Sequence, residues 1–226
     1  MTTMVATPTR LTSTSPDLPP ALFGYAAMHQ AMHRDAERLV CTLIAGPAVS
    51  AALERWWLRF RDVILRHHVR EDDLIWPALA AADPTFEADV AAMHEDHAEL
   101  DDAMARVDAT LAAQRLAGRS LDEAFAAAAT FQRVLCEHIE REEYVAFHRL
   151  AARLDLWAEI DEQIVREVSV REAAFDLPWM HDSLDRGRSS YLMTLIPGFA
   201  RPILRLIWRP RYARIVAAAH RTAVTA

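Results

Sequence analysis

The chain has 226 residues, of which 52% are hydrophobic, five are glycine and two are cysteine, and its formal net charge is −7. This length fits one domain, or one domain with an appendage, and abundant alanine with little glycine favours an all-α fold. Two cysteines cannot form a disulfide framework, and no run of about 18 uninterrupted apolar residues occurs. We therefore expect a cytoplasmic protein without a membrane-spanning helix.

The first predicted elements are a flexible segment and two helices. Residues 1–20 are rich in Thr, Ser and Pro and lack a basic start followed by an apolar run, so we expect disorder and no signal peptide there. A first helix is predicted for residues 21–44, because a Gly-Pro pair follows it. A second helix is predicted for residues 49–81, with a bend near Pro77.

Two further helices complete the predicted core of the fold. The third covers residues 84–116, since the proline at its start suits a first helical turn. The fourth begins at Ser120, which is expected to form a capping box with Glu123, and extends to about residue 154. Four helices with short connectors fold most simply as an up-down-up-down four-helix bundle, here over residues 21–155.

Residues 156–226 are predicted to form a helical C-terminal extension, with one helix over residues 157–174 and then short helices joined by turns at prolines. Residues 186–226 contain no Asp or Glu but eight arginines, at positions 186, 188, 201, 205, 209, 211, 214 and 221. The rest of the chain holds 17 basic and 32 acidic residues, a balance of −15.

The basic segment has two interpretations. The simpler one is that its apolar residues pack on the bundle while its arginines pair with the acidic body, and this is the one we expect. The alternative is peripheral contact with a membrane surface. No nucleic-acid partner is expected, because the segment lacks the spacing of a nucleic-acid-binding motif.

Two phrases in the sequence repeat a histidine followed four residues later by a glutamate. HHVREDDLIWP (67–77) contains His67 and Glu71, and HIEREEYVAFH (138–148) contains His138 and Glu142. Residues three, four and seven apart share a helix face, and the faces through both pairs are apolar on either side. Both pairs are therefore predicted to point into the core. His68 lies on a mixed face and is a weaker candidate.

The other two helices each place one histidine, His29 or His97, in an apolar face. A buried unpaired carboxylate is costly, and neither Glu71 nor Glu142 has an arginine on its own face. A divalent cation would remove that cost and use the imidazoles as neutral donors. Two carboxylates and four imidazoles suit a pair of ions. Nitrogen and oxygen donors without thiolate favour iron, with manganese or zinc as the less favoured metals.

These motifs resemble those of the hemerythrin-like proteins, also called HHE cation-binding domains. The resemblance rests on HQAMHRDAERL, HHVREDDLIWP, EDHAELDDAM and HIEREEYVAF, in this order, and covers about residues 21–155. It implies a four-helix bundle with a carboxylate-bridged pair of non-haem irons. The implied nitrogen ligands are His29, His67, His97 and His138, and the implied bridges are Glu71 and Glu142. Glu143 rivals Glu142, because oxygen-carrying hemerythrins place this acid five residues after the histidine.

One position departs from the oxygen carriers. Their third helix has a second histidine four residues before the one that matches His97, and this chain has Met93 there. His94 and His33 are candidate substitutes. Without a substitute, one iron would have an additional open position, which favours reaction with peroxide or nitric oxide, or sensing of oxygen or iron, over reversible oxygen carriage.

Two main functions follow from the resemblance. The first is a di-iron protein that binds or senses O₂, NO or iron, and the second is a di-iron enzyme that turns over peroxide or NO at the same site. A metal-free helical interaction module is the third and least favoured. Tyr25 and Tyr144 are candidate donors beside the site, and the sequence does not predict the oligomeric state.

Overall fold

The computed structural model describes residues 11–221. All regular secondary structure among these residues is helical, and turns or loops connect the helices. The all-α fold predicted from the sequence is therefore confirmed. The α-helices, in chain order, are α1 Phe23–Ala45, α2 Ala51–Arg70, α3 Trp76–Ala82, α4 Glu87–Ala117, α5 Leu121–Glu142, α6 His148–Ala152, α7 Leu154–Glu167, α8 Val170–Ser183, α9 Arg186–Leu195, α10 Ala200–Ile203 and α11 Arg209–Ala219. Short 3₁₀ turns, Pro20–Leu22 and Pro84–Phe86, precede α1 and α4.

Helices α1, α2, α4 and α5 pack together around the core. α5 contacts both α1 and α4, and α2 also contacts α1 and α4. Fully buried aromatic residues fill the space between them, among them Trp56, Trp57, Phe60 and Phe131. Burying each such ring contributes about 1.5–3 kcal/mol, which is why this set of helices holds together.

Three π-helical turns interrupt the helices, and two of them lie in the repeated sequence phrases. Glu71–Ile75 connects α2 to α3, and Glu143–Phe147 connects α5 to α6. In the first, the Trp76 N–H donates to the carbonyl of Glu71, five residues back. Pro77 follows at once and has no N–H to donate, which favours a change of helical pitch at this point. Such turns are frequent at functional sites.

The C-terminal extension differs from the predicted elements. Residues 157–174 do not form one helix, because α7 ends at Glu167 and α8 starts after Ser169, which forms a capping box with Glu172. Outside the extension, the start of α5 also differs from the prediction. Ser120 caps α5 by accepting from the Asp122 N–H, so the predicted capping box with Glu123 is not formed. The prolines at positions 178 and 202 lie inside helices and do not form turns between them. The turn at Pro197 and Gly198 does separate two helices, α9 and α10.

The extension packs on the bundle through apolar residues, as expected, but the arginines of residues 186–221 form no ion pairs with its carboxylates. α8 contacts α1 and α11 contacts α2, and the Trp179 indole donates to Asp35 across 2.8 Å. The expected pairing of the basic segment with the acidic body is wrong for the described residues: between residues 186 and 221 no arginine forms an ion pair with a carboxylate. Arg188 and Arg201 instead donate to backbone carbonyls.

Residues 11–19 also differ from the prediction of disorder; residues 1–10 lie outside the described residues. Ser13 is buried, and its N–H donates to Glu143 Oε2 at 3.0 Å. The carbonyl of Ser13 accepts from Gln30 and from Arg188, which holds the segment against α1 and α9. Among residues 11–221, none of the helices combines the length and the hydrophobicity that a membrane span requires.

Candidate metal centre

A polar layer crosses the interior of the bundle between two apolar clusters. On one side the core contains Met32, Ile64, Leu100 and Leu135, one residue from each long helix. On the other side it contains residues of the same helices or of the turns that follow them, namely Tyr25, Ile75, Met93 and Val145. The histidines and glutamates of the sequence motifs lie between these two layers. They are therefore shielded from bulk water on both sides.

The first group of side chains in this layer consists of His29, His67, Glu71 and Glu142. One donor atom of each lies within 4.8 Å of the others, and all four residues are buried. The Nε2 atoms of His29 and His67 are 3.2 Å apart, and His67 Nε2 is 2.6 Å from Glu71 Oε1. Two imidazole nitrogens and two carboxylates thus converge on one point.

The second group consists of His68, Glu71, His97 and His138, again buried and with donor atoms within 4.8 Å of one another. The rings of His68 and His97 are stacked, with centroids 4.0 Å apart and an interplanar angle of 10°. The His138 ring stands edge-on to both, with centroids 4.9–5.1 Å away. Three imidazoles from α2, α4 and α5 therefore surround one oxygen of Glu71.

The two glutamates connect the groups. Glu71 directs Oε1 towards His67 and Oε2 towards His97, with the second distance 3.4 Å. Glu142 directs Oε1 to within 3.4 Å of His29 Nε2 and Oε2 to within 3.5 Å of His138 Nε2. A carboxylate with one oxygen in each group has the arrangement that a ligand bridging two cations requires.

Many polar atoms of this layer have no hydrogen-bond partner among the described residues. They include both ring nitrogens of His68 and His138, Nε2 of His97, and Oε2 of Glu71 and Glu142. Each buried unsatisfied group costs about 1–3 kcal/mol. A cation in each group would bind one ring nitrogen of each histidine and the free carboxylate oxygens, so the residues present fit a pair of metal ions.

Carboxylates behind the histidines fix the orientation of the rings. Glu143 Oε1 lies 3.0 Å from His29 Nδ1, and Asp72 Oδ2 lies 3.2 Å from His97 Nδ1. Asp96 approaches His138 Nδ1 at 3.8 Å. A carboxylate that accepts from one ring nitrogen leaves the other nitrogen unprotonated and directed at a metal, and it raises the basicity of the ligand.

The charges of the layer set the protonation of the histidines. Burial lowers the pKa of His29, but the carboxylates of Glu142 and Glu143 outweigh it and raise that pKa to about 10. In the same way Glu71 and Asp72 outweigh burial and raise the pKa of His97 to about 9. The pKa of His68 falls well below its usual value, because burial and the neighbouring imidazoles disfavour a further positive charge.

Tyr25 is the polar side chain that joins the two glutamates from the second apolar layer. Its hydroxyl donates to Glu71 Oε1 at 2.8 Å and also contacts Glu142 Oε1. Burial and the charges of the two glutamates raise the pKa of Tyr25 well above its usual value, so the phenol keeps its proton. Tyr144, the other candidate donor, is 63% exposed and does not lie in the layer.

The structure brings together all six residues that the sequence singles out, and it adds His68. His68 is one residue from His67 and three from Glu71, so both histidines flank the same carboxylate from one helical turn. His33 contacts the Cys136 thiol and His94 contacts Asp72, so neither belongs to the groups. Glu143 bonds to His29 and the Ser13 N–H, and Glu142 alone of the two acids spans both groups.

Replacing His68 tests whether the second group binds its own cation. His68→Ala is expected to lower the bound metal from about two ions per chain to about one, because the second group loses one of three imidazoles. His94→Ala is the matched control and should leave the metal content unchanged, since His94 is half-exposed and belongs to neither group. Metal content is measured by elemental analysis after gel filtration. Equal metal content in the two variants would contradict the assignment of His68.

Metal affinity is expected to rise with pH below about 9. In the metal-free protein His29 and His97 hold protons at neutral pH, and a cation must displace them. Each displaced proton contributes about a tenfold gain in affinity per pH unit. Competition between the protein and a chelator for redox-silent Zn²⁺ at pH 6, 7 and 8 measures this, after correction for the chelator's own protonation. An affinity that does not change with pH would show that binding displaces no proton.

Comparison with known proteins agrees with this geometry. The family model of the hemerythrin HHE cation-binding domain matches residues 25–150, which is more than half of the chain and includes every residue of both groups. No curated protein and no solved structure matches the chain. The chain therefore belongs to the hemerythrin HHE cation-binding domain family.

Proposed function

We propose that this protein is a non-haem di-iron protein that binds or senses O₂, NO or iron. The observation that carries the proposal is the pair of four-residue groups that share Glu71. One iron would be held by His29, His67, Glu71 and Glu142. The other would be held by His68, His97 and His138 together with the second oxygens of Glu71 and Glu142.

The donor set favours iron over other metals. All donors are imidazole nitrogens and carboxylate oxygens, a mixture that suits iron or manganese, with zinc possible. Both cysteines lie outside the two groups, so soft thiolate ligands do not contribute. The family is named for cation binding, which agrees with a metal but does not specify it.

An up-down-up-down arrangement of α1, α2, α4 and α5 is part of the proposal. Along α1, Tyr25 of one apolar layer comes before His29, and Met32 of the other layer comes after it. Along α2 the two layers occur in the opposite order. Along α4 they occur in the same order as along α1, and along α5 the order is reversed again. This alternation supports four helices that cross the polar layer in alternating directions.

The two irons would supply open coordination positions for a small ligand and exchange electrons with it. The chain's own residues control access to that position. The first group has two imidazoles and the second has three. An open coordination position for a ligand would therefore lie in the first group, beside Tyr25. Phe147 stacks on His29, with ring centroids 5.6 Å apart, and Met93 and Trp76 are fully buried. These apolar side chains exclude water and favour a small uncharged ligand such as O₂ or NO.

Metal content and the optical spectrum test the proposal directly. Protein from iron-supplemented cells should contain about two irons per chain, with near-ultraviolet bands that change when azide is added. Glu71→Gln should abolish this spectrum and most of the bound iron, because the amide removes the shared charge. Glu99→Gln, an exposed acid of α4, is the control and should behave as the parent. A chain that binds no metal, and that folds equally well with Glu71→Ala, would overturn the proposal in favour of a metal-free interaction module.

Tyr25 favours a second candidate function, turnover of peroxide or NO at the same centre. A phenol bonded to both glutamates is placed to give a proton, or a proton and an electron, to a bound oxidant. This candidate uses the same iron ligands as the first.

Replacing Tyr25 separates the two candidates. If the protein is an enzyme, Tyr25→Phe should lower the turnover of hydrogen peroxide by the iron-loaded protein about 10²-fold or more, without loss of iron. Tyr144→Phe, at an exposed position, is the matched control. Absence of turnover in the parent, with reversible binding of O₂ or NO, would assign the protein to binding or sensing.

A further inference from the structure

The C-terminal extension exposes an apolar surface that the di-iron proposal does not explain. Five large apolar side chains between residues 195 and 207 are exposed, namely Leu195 (51%), Phe199 (80%), Ile203 (37%), Leu206 (76%) and Ile207 (58%). We call these five residues the apolar tip. They lie at the end of α9, in the following turn and in the first turns of the next helix.

The apolar tip is held in place by the fold. The Arg201 guanidinium donates to the carbonyls of Ile196 and Thr194, at 2.9 and 3.1 Å, and the Ala200 N–H donates to the Pro197 carbonyl. Ile196 and Leu204 are buried in the main core on either side of this turn. The exposed side chains are therefore presented outward from an anchored turn.

Unpaired arginines lie next to the apolar tip. Arg205, Arg209, Arg211 and Arg214 are exposed, and within residues 11–221 none of them forms an ion pair with a carboxylate. The segment from residue 186 onward has no acid, whereas the rest of the chain has a balance of −15. The basic segment therefore carries a net positive charge around the apolar tip, whereas the rest of the chain carries a net negative charge.

We propose that the apolar tip and its arginines dock on the surface of a membrane that contains anionic lipids. Helices that lie on a membrane surface typically have exposed apolar side chains beside arginines. The apolar side chains insert between the lipid headgroups, while the arginines stay at the level of the phosphates. Each arginine near an anionic surface strengthens binding about fivefold at moderate salt. The acidic body is repelled by the same surface, so the protein would attach through its extension with the di-iron bundle directed away.

Charge also disfavours the other occupants of this surface. A symmetric contact with a second copy would bring the same arginines of both chains together, and like charges would oppose it. Nucleic acid would neutralise the arginines, but only Phe199 of the five apolar-tip residues is aromatic, and the four aliphatic side chains cannot stack on bases. An anionic bilayer satisfies both the charge and the apolar surface.

Flotation with lipid vesicles tests the proposal on the full-length, metal-loaded chain. Vesicles of phosphatidylcholine with about one third phosphatidylglycerol should carry the protein, and vesicles of phosphatidylcholine alone should carry much less. Raising the salt to about 0.5 M should release it. Arg205→Glu with Arg209→Glu should weaken binding at least about 25-fold, and Phe199→Ser with Leu206→Ser about tenfold or more.

Matched variants on other surfaces serve as controls. Arg55→Glu with Arg106→Glu changes charge equally at exposed positions of the bundle, and Val165→Ser with Val170→Ser changes exposed apolar residues of α7 and α8. Both controls should bind vesicles as the parent does. Circular dichroism and iron content should be unchanged in all four variants, which separates a lost membrane contact from a misfolded chain or a failure of the di-iron proposal.

Three outcomes would overturn the membrane proposal. One is equal binding to neutral and anionic vesicles, and another is equal loss of binding in the control variants. The third is no vesicle binding at all, together with a dimer in light scattering that the tip variants convert to a monomer, which would assign the surface to a second copy. Binding to a short duplex or single-stranded DNA in place of vesicles would likewise overturn it.

Discussion

The burial of Glu71 and Glu142 in one layer is the constraint on which the rest of this structure depends. Both carboxylates are fully buried, and each points one oxygen into either group of imidazoles. A buried negative charge is tolerated only with compensation. Protonated histidines supply that compensation in the metal-free chain, and cations would supply it in the loaded one. The four long helices must therefore meet at this level, because each contributes at least one imidazole.

The surroundings of the layer follow from the same constraint. Asp72 and Glu143 orient His97 and His29 from behind, and Ser13 closes the outer side of Glu143. Apolar clusters lie on both sides, so the charges interact in a medium that screens them poorly. The N-terminal segment is ordered where it contacts Glu143, and Arg188 ties that contact to the extension. Packing outside the bundle is thus connected to the centre by two hydrogen bonds.

The extension uses its residues in two different ways. Its buried side, with Trp179 and Tyr212, completes the core and meets the buried Asp35 and its arginine partners on α1. Its outer side combines the apolar tip with arginines that form no ion pair with a carboxylate among residues 11–221. The contrast between an acidic bundle and a basic extension gives the molecule a direction, which a protein attached to a charged surface would need.

The sequence by itself determined the helices of the bundle and the inward direction of His29, His67, Glu71, His97, His138 and Glu142, because helical periodicity is local and a buried carboxylate requires a partner. Only the tertiary structure placed His68 in the second buried group, since its mixed face is buried by α4 and α5, which the periodicity of α2 cannot report. Packing likewise placed Glu142, and not Glu143, between the two groups of imidazoles. It also holds residues 11–19 against the helices through the hydrogen bonds of Ser13. The sequence also could not predict that the arginines of the basic segment lack ion pairs. Overall charge suggests that they are attracted to the acidic body, but the distances between specific side chains decide whether ion pairs form.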